Sequence, residues 1–176
     1  MEAKTQKLAA AATVAAAYAV LTMALAPISY GALQFRVSEV LCILPFFLPF
    51  TSWGLFLGCV IANLLTGNVF DIVFGSLATL SASICTAFIG MKWGREKILS
   101  CAMGCLMPVL WNGVVVGAVI TGAYMGLNVL ENLGVFAINA LQVAGGEAAV
   151  LFILGLPLMK LLYNKKFFVE LMHKFN

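Results

Sequence analysis

Residues Val40–Phe70 read VLCILPFFLPFTSWGLFLGCVIANLLTGNVF, 31 consecutive positions without a charged side chain. A helix that crosses a bilayer needs roughly 20 apolar residues, within a range of about 17–25. The run is therefore too long for one crossing and tight for two. Pro45 and Pro49 lie in its first half, followed by Thr51-Ser52-Trp53-Gly54, and together they supply a bend. Whether this stretch crosses once or twice decides the topology, and the charges on either side of it give the answer.

The rest of the 176-residue chain has the same character. Leu8–Gln34, Ile72–Met91 and Ile98–Leu130 are uncharged, and Asn132–Lys160 is interrupted internally only by Glu147. Hydrophobic residues make up 63 % and charged residues 10 %, with mean hydropathy +1.06. A soluble domain has about 25 % charged residues, so a soluble fold, disorder and a collagen-like repeat are all excluded. None of the long runs alternates as a barrel strand would, which leaves helices. The first run is longer than the roughly 7–15 apolar residues of a signal peptide and has no single obvious cleavage site, so it is read as a span.

Nine of the ten basic residues fall in three places: Lys4 and Lys7; Lys92, Arg95 and Lys97; and Lys160, Lys165, Lys166 and Lys174. The positive-inside rule puts all three in the cytoplasm. The chain must then cross an even number of times before Lys92, so Val40–Phe70 must hold two short or tilted helices. The expectation is an all-α integral membrane protein, a single membrane domain over 1–176. Its six transmembrane helices fall at about 6–27, 38–50, 52–66, 69–91, 98–124 and 134–163, with both termini cytoplasmic. The outer connections are Pro27–Val37, about Thr66–Phe70, and about Tyr124–Leu133.

Of the seven acids, Glu39, Asp71, Glu131 and Glu147 lie outside or within the membrane, with only Arg36 to balance them. Intramembrane ionisable groups are expensive and usually face an interior cavity. The pattern suggests an outward-facing pocket for a small ligand that is cationic or rich in N–H donors. Arg36 and Glu39, three residues apart, could pair with each other or meet the ligand. Asn68 or Asp71 could cap the fourth helix. Asn112 stands beside Trp111 in an apolar helix, and Asn139, Gln142 and Glu147 crowd into the sixth. A lone carboxylate such as Glu147 inside a span is the strongest candidate for a binding role.

Small residues repeat at four-residue spacing: Ala11, Ala15 and Ala19; Ala12 and Ala16; Gly54–Gly58, Gly113–Gly117 and Gly122–Gly126. Such stripes let membrane helices approach closely. The glycine pairs read as internal packing, whereas the alanine excess of the first helix suits docking to another membrane subunit. The only histidine, His173, sits in the tail, which removes histidine-based metal sites and triads. There is no phosphate-binding loop of the G-x-x-x-x-G-K-[ST] type. Cys42, Cys59, Cys85, Cys101 and Cys105 lie in apolar segments and read as packing residues.

Several blocks resemble a known family. They are Gln34-Phe35-Arg36-Val37-Ser38-Glu39-Val40-Leu41 with Leu44-Pro45-Phe46-Phe47; Gly54-Leu55-Phe56-Leu57-Gly58-Cys59 with Ala62-Asn63; Asp71 to Leu80; and Gly146-Glu147 with Gly155-Leu156-Pro157. Together they resemble the QueT family of queuosine-precursor transporters, the substrate-binding S components of energy-coupling factor (ECF) importers. The resemblance implies no enzyme activity and no cofactor. It implies a bacterial cell-membrane protein that works with an ECF transmembrane coupling subunit and two ABC ATPases. It also implies docking through the alanine face of the first helix, at Ala11, Ala15 and Ala19. The ligand would be a 7-deazaguanine: pre-queuosine-1, queuine or pre-queuosine-0. Such a ring offers N1–H and a 2-amino group to a carboxylate, and its O6 wants a donor. Glu147 is then the central contact, with Asn112, Asn139 and Gln142 around it and Asp71, Arg36, Glu39 and Asn63 toward the outer rim. Trp111, Phe35 or Phe74 would stack on the ring. The competing readings are an S component for a flavin-like or pterin-like vitamin, and a solitary proton-coupled carrier.

Overall fold

The computed structural model describes residues 2–30 and 35–175, and among these the chain is helical with no strand. Gln34 and the middle of the first outer connection lie outside the described residues. Helix α1 spans Glu2–Ala24 and is rich in alanine, the best helix former. The short α2 (Ala26–Ser29) has Pro27 in its first turn, where a missing N–H has no intrahelical partner to lose. A 3-10 segment, Val37–Ile43, leads into α3 (Leu44–Phe47). Helix α3 stops at Leu48, whose φ of −131° and ψ of 83° lie away from the helical region that the following Pro49 disfavours. Helix α4 (Thr51–Asn63) then runs into a 3-10 turn, Leu64–Thr66.

A π turn, Asp71–Gly75, opens α5 (Ser76–Lys92). Helix α6 (Ile98–Val119) closes in a second π turn, Ile120–Tyr124. Helix α7 (Leu133–Val150) passes through a third, Leu151–Gly155, into α8 (Leu156–Tyr163), and α9 (Lys166–Phe175) follows.

Four stretches are long and apolar enough to cross a membrane: Glu2–Ala24, Asp71–Lys92, Ile98–Tyr124 and Leu133–Tyr163. The stretch Val40–Phe70, where two crossings are expected, falls in the shorter apolar helices Val37–Phe47 and Thr51–Thr66. At about 2.0 Å per 3-10 residue and 1.5 Å per α residue these extend roughly 20 and 25 Å. The bilayer core is about 30 Å thick. Their joint, Leu48–Phe50, is satisfied locally: Thr51 Oγ1 donates to the Leu48 carbonyl at 2.7 Å, and Thr51 N to the same oxygen at 3.0 Å.

Close backbone approach sets the helix packing. A Cβ on Gly58 would lie 2.7 Å from the Ala15 carbonyl, and one on Gly117 would lie 2.7 Å from Ala140 Cα. Gly54 and Gly58 therefore seat α4 on α1, and Gly113 and Gly117 seat α6 on α7. Gly122 and Gly126 form no such pair: Gly126 has φ +68° with nothing within 4 Å of its would-be Cβ, so it serves a turn.

The seating of α4 bears on the alanine stripe expected to dock a partner. Ala15 and Ala19 are buried, at 6 % and 4 % exposure, and Ala11 is half-buried. Two of the three alanines of that stripe are thus packed inside the chain, where α4 offers two glycines. Ala9, Ala12 and Ala16, in the middle of α1, remain exposed.

The largest core gathers Ile43, Phe46 and Phe47 with Cys105, Leu151 and Met159. Helix α9 closes it from below. The Phe168 ring meets Phe47 edge-on at 5.3 Å, and Phe175 meets Phe50 at 5.4 Å. Charge alone marks residues 164–176 as a basic end; the structure makes most of it an amphipathic helix.

Candidate functional site

Four ionisable side chains are buried together with amides at one end of the bundle: Arg36, Glu39, Asp71 and Glu147. The 3-10 segment carries Glu39 inward with zero exposure. One of its carboxylate oxygens accepts the hydroxyl of Tyr18 from α1, and the other accepts the Cys42 thiol at 2.9 Å. Beside this bond Thr22 and Ser38 share a hydrogen bond of 2.6 Å. On the opposite wall, Asn112 Nδ2 of α6 donates to Glu147 Oε1 of α7 at 2.7 Å. Glu39 and Glu147 are near enough to act directly on one another, and Arg36 acts on both.

Arg36 forms its ion pair with Asp71 at 3.9 Å, not with Glu39. Its guanidinium also lies over the Tyr30 ring at 5.3 Å, while Tyr30 donates to the Ala62 carbonyl at 2.6 Å. Asn63 Nδ2 donates to the Asp71 carbonyl at 3.1 Å and so fixes the start of the π turn. Asp71 is not a cap; Asn68 accepts the Phe70 N–H at 2.9 Å.

One guanidinium here faces three carboxyl groups. Leaving buried charges unpaired is costly. Several polar atoms are also buried without a hydrogen-bond partner among the described residues: Arg36 Nε and Nη2, Asn112 Oδ1 and Asn63 Oδ1. Buried polar groups are satisfied in the great majority of cases. The cluster holds guanidinium N–H groups and amide oxygens that make no hydrogen bond, next to three carboxyl groups.

Not every residue singled out from sequence joins this cluster. Trp111 is 40 % exposed and points away from the interior that its neighbour Asn112 faces. Gln142 is exposed as well, on the outer side of α7. Phe74 is 46 % exposed and stacks on Phe70 at 6.2 Å, forming a surface pair, and Phe35 is also exposed. Asn139 is buried but engages Thr121 at 2.9 Å and Met125 Sδ at 3.3 Å, two turns from Glu147.

Sequence reasoning missed Tyr18 and the working roles of two cysteines. Cys42 is a donor to Glu39, and Cys59 Sγ receives Asn63 and Thr79, each at 3.4 Å. The signals were there: a single tyrosine in an alanine-rich helix, and a thiol one helical turn from Glu39.

A family model described as QueT transporter matches residues 8–164. The queuosine precursor transporter QueT of Lactococcus lactis subsp. cremoris (strain MG1363) is 43 % identical over 79 residues. That alignment covers 44 % of this chain and 47 % of the relative, about half the length of each. No solved structure matches. With four long apolar helices and a family match that runs from α1 to the end of α8, the chain is a multi-pass membrane protein that belongs to the QueT transporter family, a family of transporters and not of enzymes.

Proposed function

We propose that this chain is the substrate-binding S component of an ECF importer, taking up a queuosine precursor of the 7-deazaguanine class across a bacterial cell membrane. The observation that carries the reading is the pair of adjacent buried carboxyl groups, Glu39 and Glu147, faced by an arginine with unpaired N–H groups. A deazaguanine complements them: Glu147 takes N1–H and the 2-amino group, Arg36 donates to O6, and Glu39 receives a cationic amine where the precursor carries one. The Lactococcus relative's name supports the substrate class.

The short helices Val37–Phe47 and Thr51–Thr66 serve as the second and third of six crossings, with both termini in the cytoplasm; the grouping of basic residues supports this. A transmembrane coupling subunit docks on the exposed small-residue face of α1 at Ala9, Ala12 and Ala16, and two ATPases drive transport.

Calorimetry with pre-queuosine-1 on the purified Glu147→Gln protein tests the reading. The change keeps the size but replaces one acceptor by a donor that faces the ligand's own donors. Losing a charged hydrogen bond costs about 1.5–3 kcal/mol, so affinity should fall on the order of tenfold to several hundredfold. Unchanged affinity in a folded variant moves recognition away from Glu147.

A further inference from the structure

We infer that the basic end of the helix bundle holds a site for the phosphate headgroup of an anionic phospholipid, formed by Arg95, Lys160, Tyr163 and His173. Two cavities of about 600 and 260 Å³ lie there and share Arg95, Glu96 and Tyr163. Lys160 lines the smaller, and His173 of α9 lines the larger. The site is far from the Glu39–Glu147 cluster in the fold, at the opposite ends of α5 and α6.

The charge balance points to an anion. No described carboxylate lies within ion-pair distance of Arg95 or Lys160, although Glu96 lines both cavities. Arg95 is partly desolvated, and that burial pushes its guanidinium down from the usual value. A half-buried cation without a counter-ion is costly, and a phosphate would offset the cost. The tyrosine hydroxyl and the imidazole add donors at the rim.

The position points to a lipid as the source. The cavities sit where the apolar stretches Asp71–Lys92 and Leu133–Tyr163 end and Ile98–Tyr124 begins, the place where a spanning helix leaves the hydrocarbon for the headgroups. Exposed apolar side chains stand beside the basic ones: Ile98 is 49 %, Leu161 59 % and Phe167 75 % exposed. A free phosphate has no use for that surface, whereas the acyl chains of a phospholipid cover it. Basic pockets between membrane helices are established binding places for acidic headgroups.

The test is native mass spectrometry of the full chain from micelles containing equal phosphatidylglycerol and phosphatidylcholine. The wild-type protein should retain phosphatidylglycerol preferentially, and millimolar inorganic phosphate should not displace it. The double variant Arg95→Gln/Lys160→Gln should lose about fivefold in retention for each charge removed, with deazaguanine binding unchanged. Equal retention of the two lipids by the wild-type protein overturns the proposal without recourse to any variant. So does full retention of phosphatidylglycerol by the double variant, or its displacement by inorganic phosphate. A double variant that keeps the lipid but loses its coupling subunit assigns the basic cavity to a protein partner instead.

Discussion

Tyr18→Phe removes one oxygen from a residue with zero exposure and leaves its ring packed against Leu55, Cys59 and Ala62. No cavity larger than a hydroxyl results, so the loss is that of the bond to Glu39. A hydrogen bond to a charged group is worth about 1.5–3 kcal/mol. Glu39 would keep only the Cys42 thiol at 2.9 Å, a weak donor that cannot hold both oxygens. The carboxylate then turns freely toward Glu147, and the ligand site loses its fixed geometry. Affinity for pre-queuosine-1 should fall about tenfold to 100-fold at roughly tenfold per 1.4 kcal/mol. Calorimetry on the purified variant reads this directly. The same change made in a Glu39→Gln background should cost only about 0.5–1.5 kcal/mol, because a neutral acceptor remains, so the double-mutant cycle should show coupling. Wild-type affinity and melting in Tyr18→Phe, or strictly additive effects in the cycle, would refute the reasoning.

The contrast between the two faces of α1 is testable with tryptophan. Ala15→Trp should destabilise the chain by about 1–3 kcal/mol or more in detergent melting, since Ala15 is buried and its backbone lies against Gly58 of α4. Ala16→Trp should fold and bind ligand normally but fail to co-purify with the coupling subunit. Gln142→Ala and Trp111→Ala, whose side chains face outward, should leave affinity within about twofold by calorimetry. A cysteine placed at residues 66–70 of a cysteine-free variant should react with an impermeant thiol reagent from outside; labelling only after permeabilisation would invert the topology.

The helices were legible because uncharged runs have only one use in a chain this apolar, and the paired prolines announced the break at Leu48–Phe50. The acids were legible because a buried carboxylate stands out against Leu and Val. Orientation was harder to read. Trp111 and Asn112 are adjacent, so only one can face the interior, and the surrounding apolar residues do not say which. Small residues occupy two stripes of α1, and only the glycines of α4, far away in sequence, determine which stripe turns in. Tyr18 was invisible as a site residue because its partner Glu39 lies 21 positions away, on a segment whose 3-10 geometry defeats a helical-wheel argument. The spacing of Phe168, Met172 and Phe175 did carry the inward face of α9, but the lysines around it drew attention to charge instead.

The three π turns have a consequence for how this chain tolerates change in length. Each places five residues, Asp71–Gly75, Ile120–Tyr124 and Leu151–Gly155, on a pitch wider than that of the helix it joins. A π turn is one surplus residue absorbed inside a helix. Leu151–Gly155 is the one of the three that joins two helices, α7 and α8, so deleting a residue there restores the ordinary winding and leaves both flanking halves helical. Deleting one elsewhere in a span rotates everything beyond it by about 100°. For α7, the wide turn begins one helical turn after Glu147, between the buried carboxylate and Met159 of the lower core. It therefore works as a phase adjuster, letting one continuous helix present a polar residue to the ligand side and an apolar one to the core. Homologues with one residue fewer in this last span are expected to carry their gap at Leu151–Gly155.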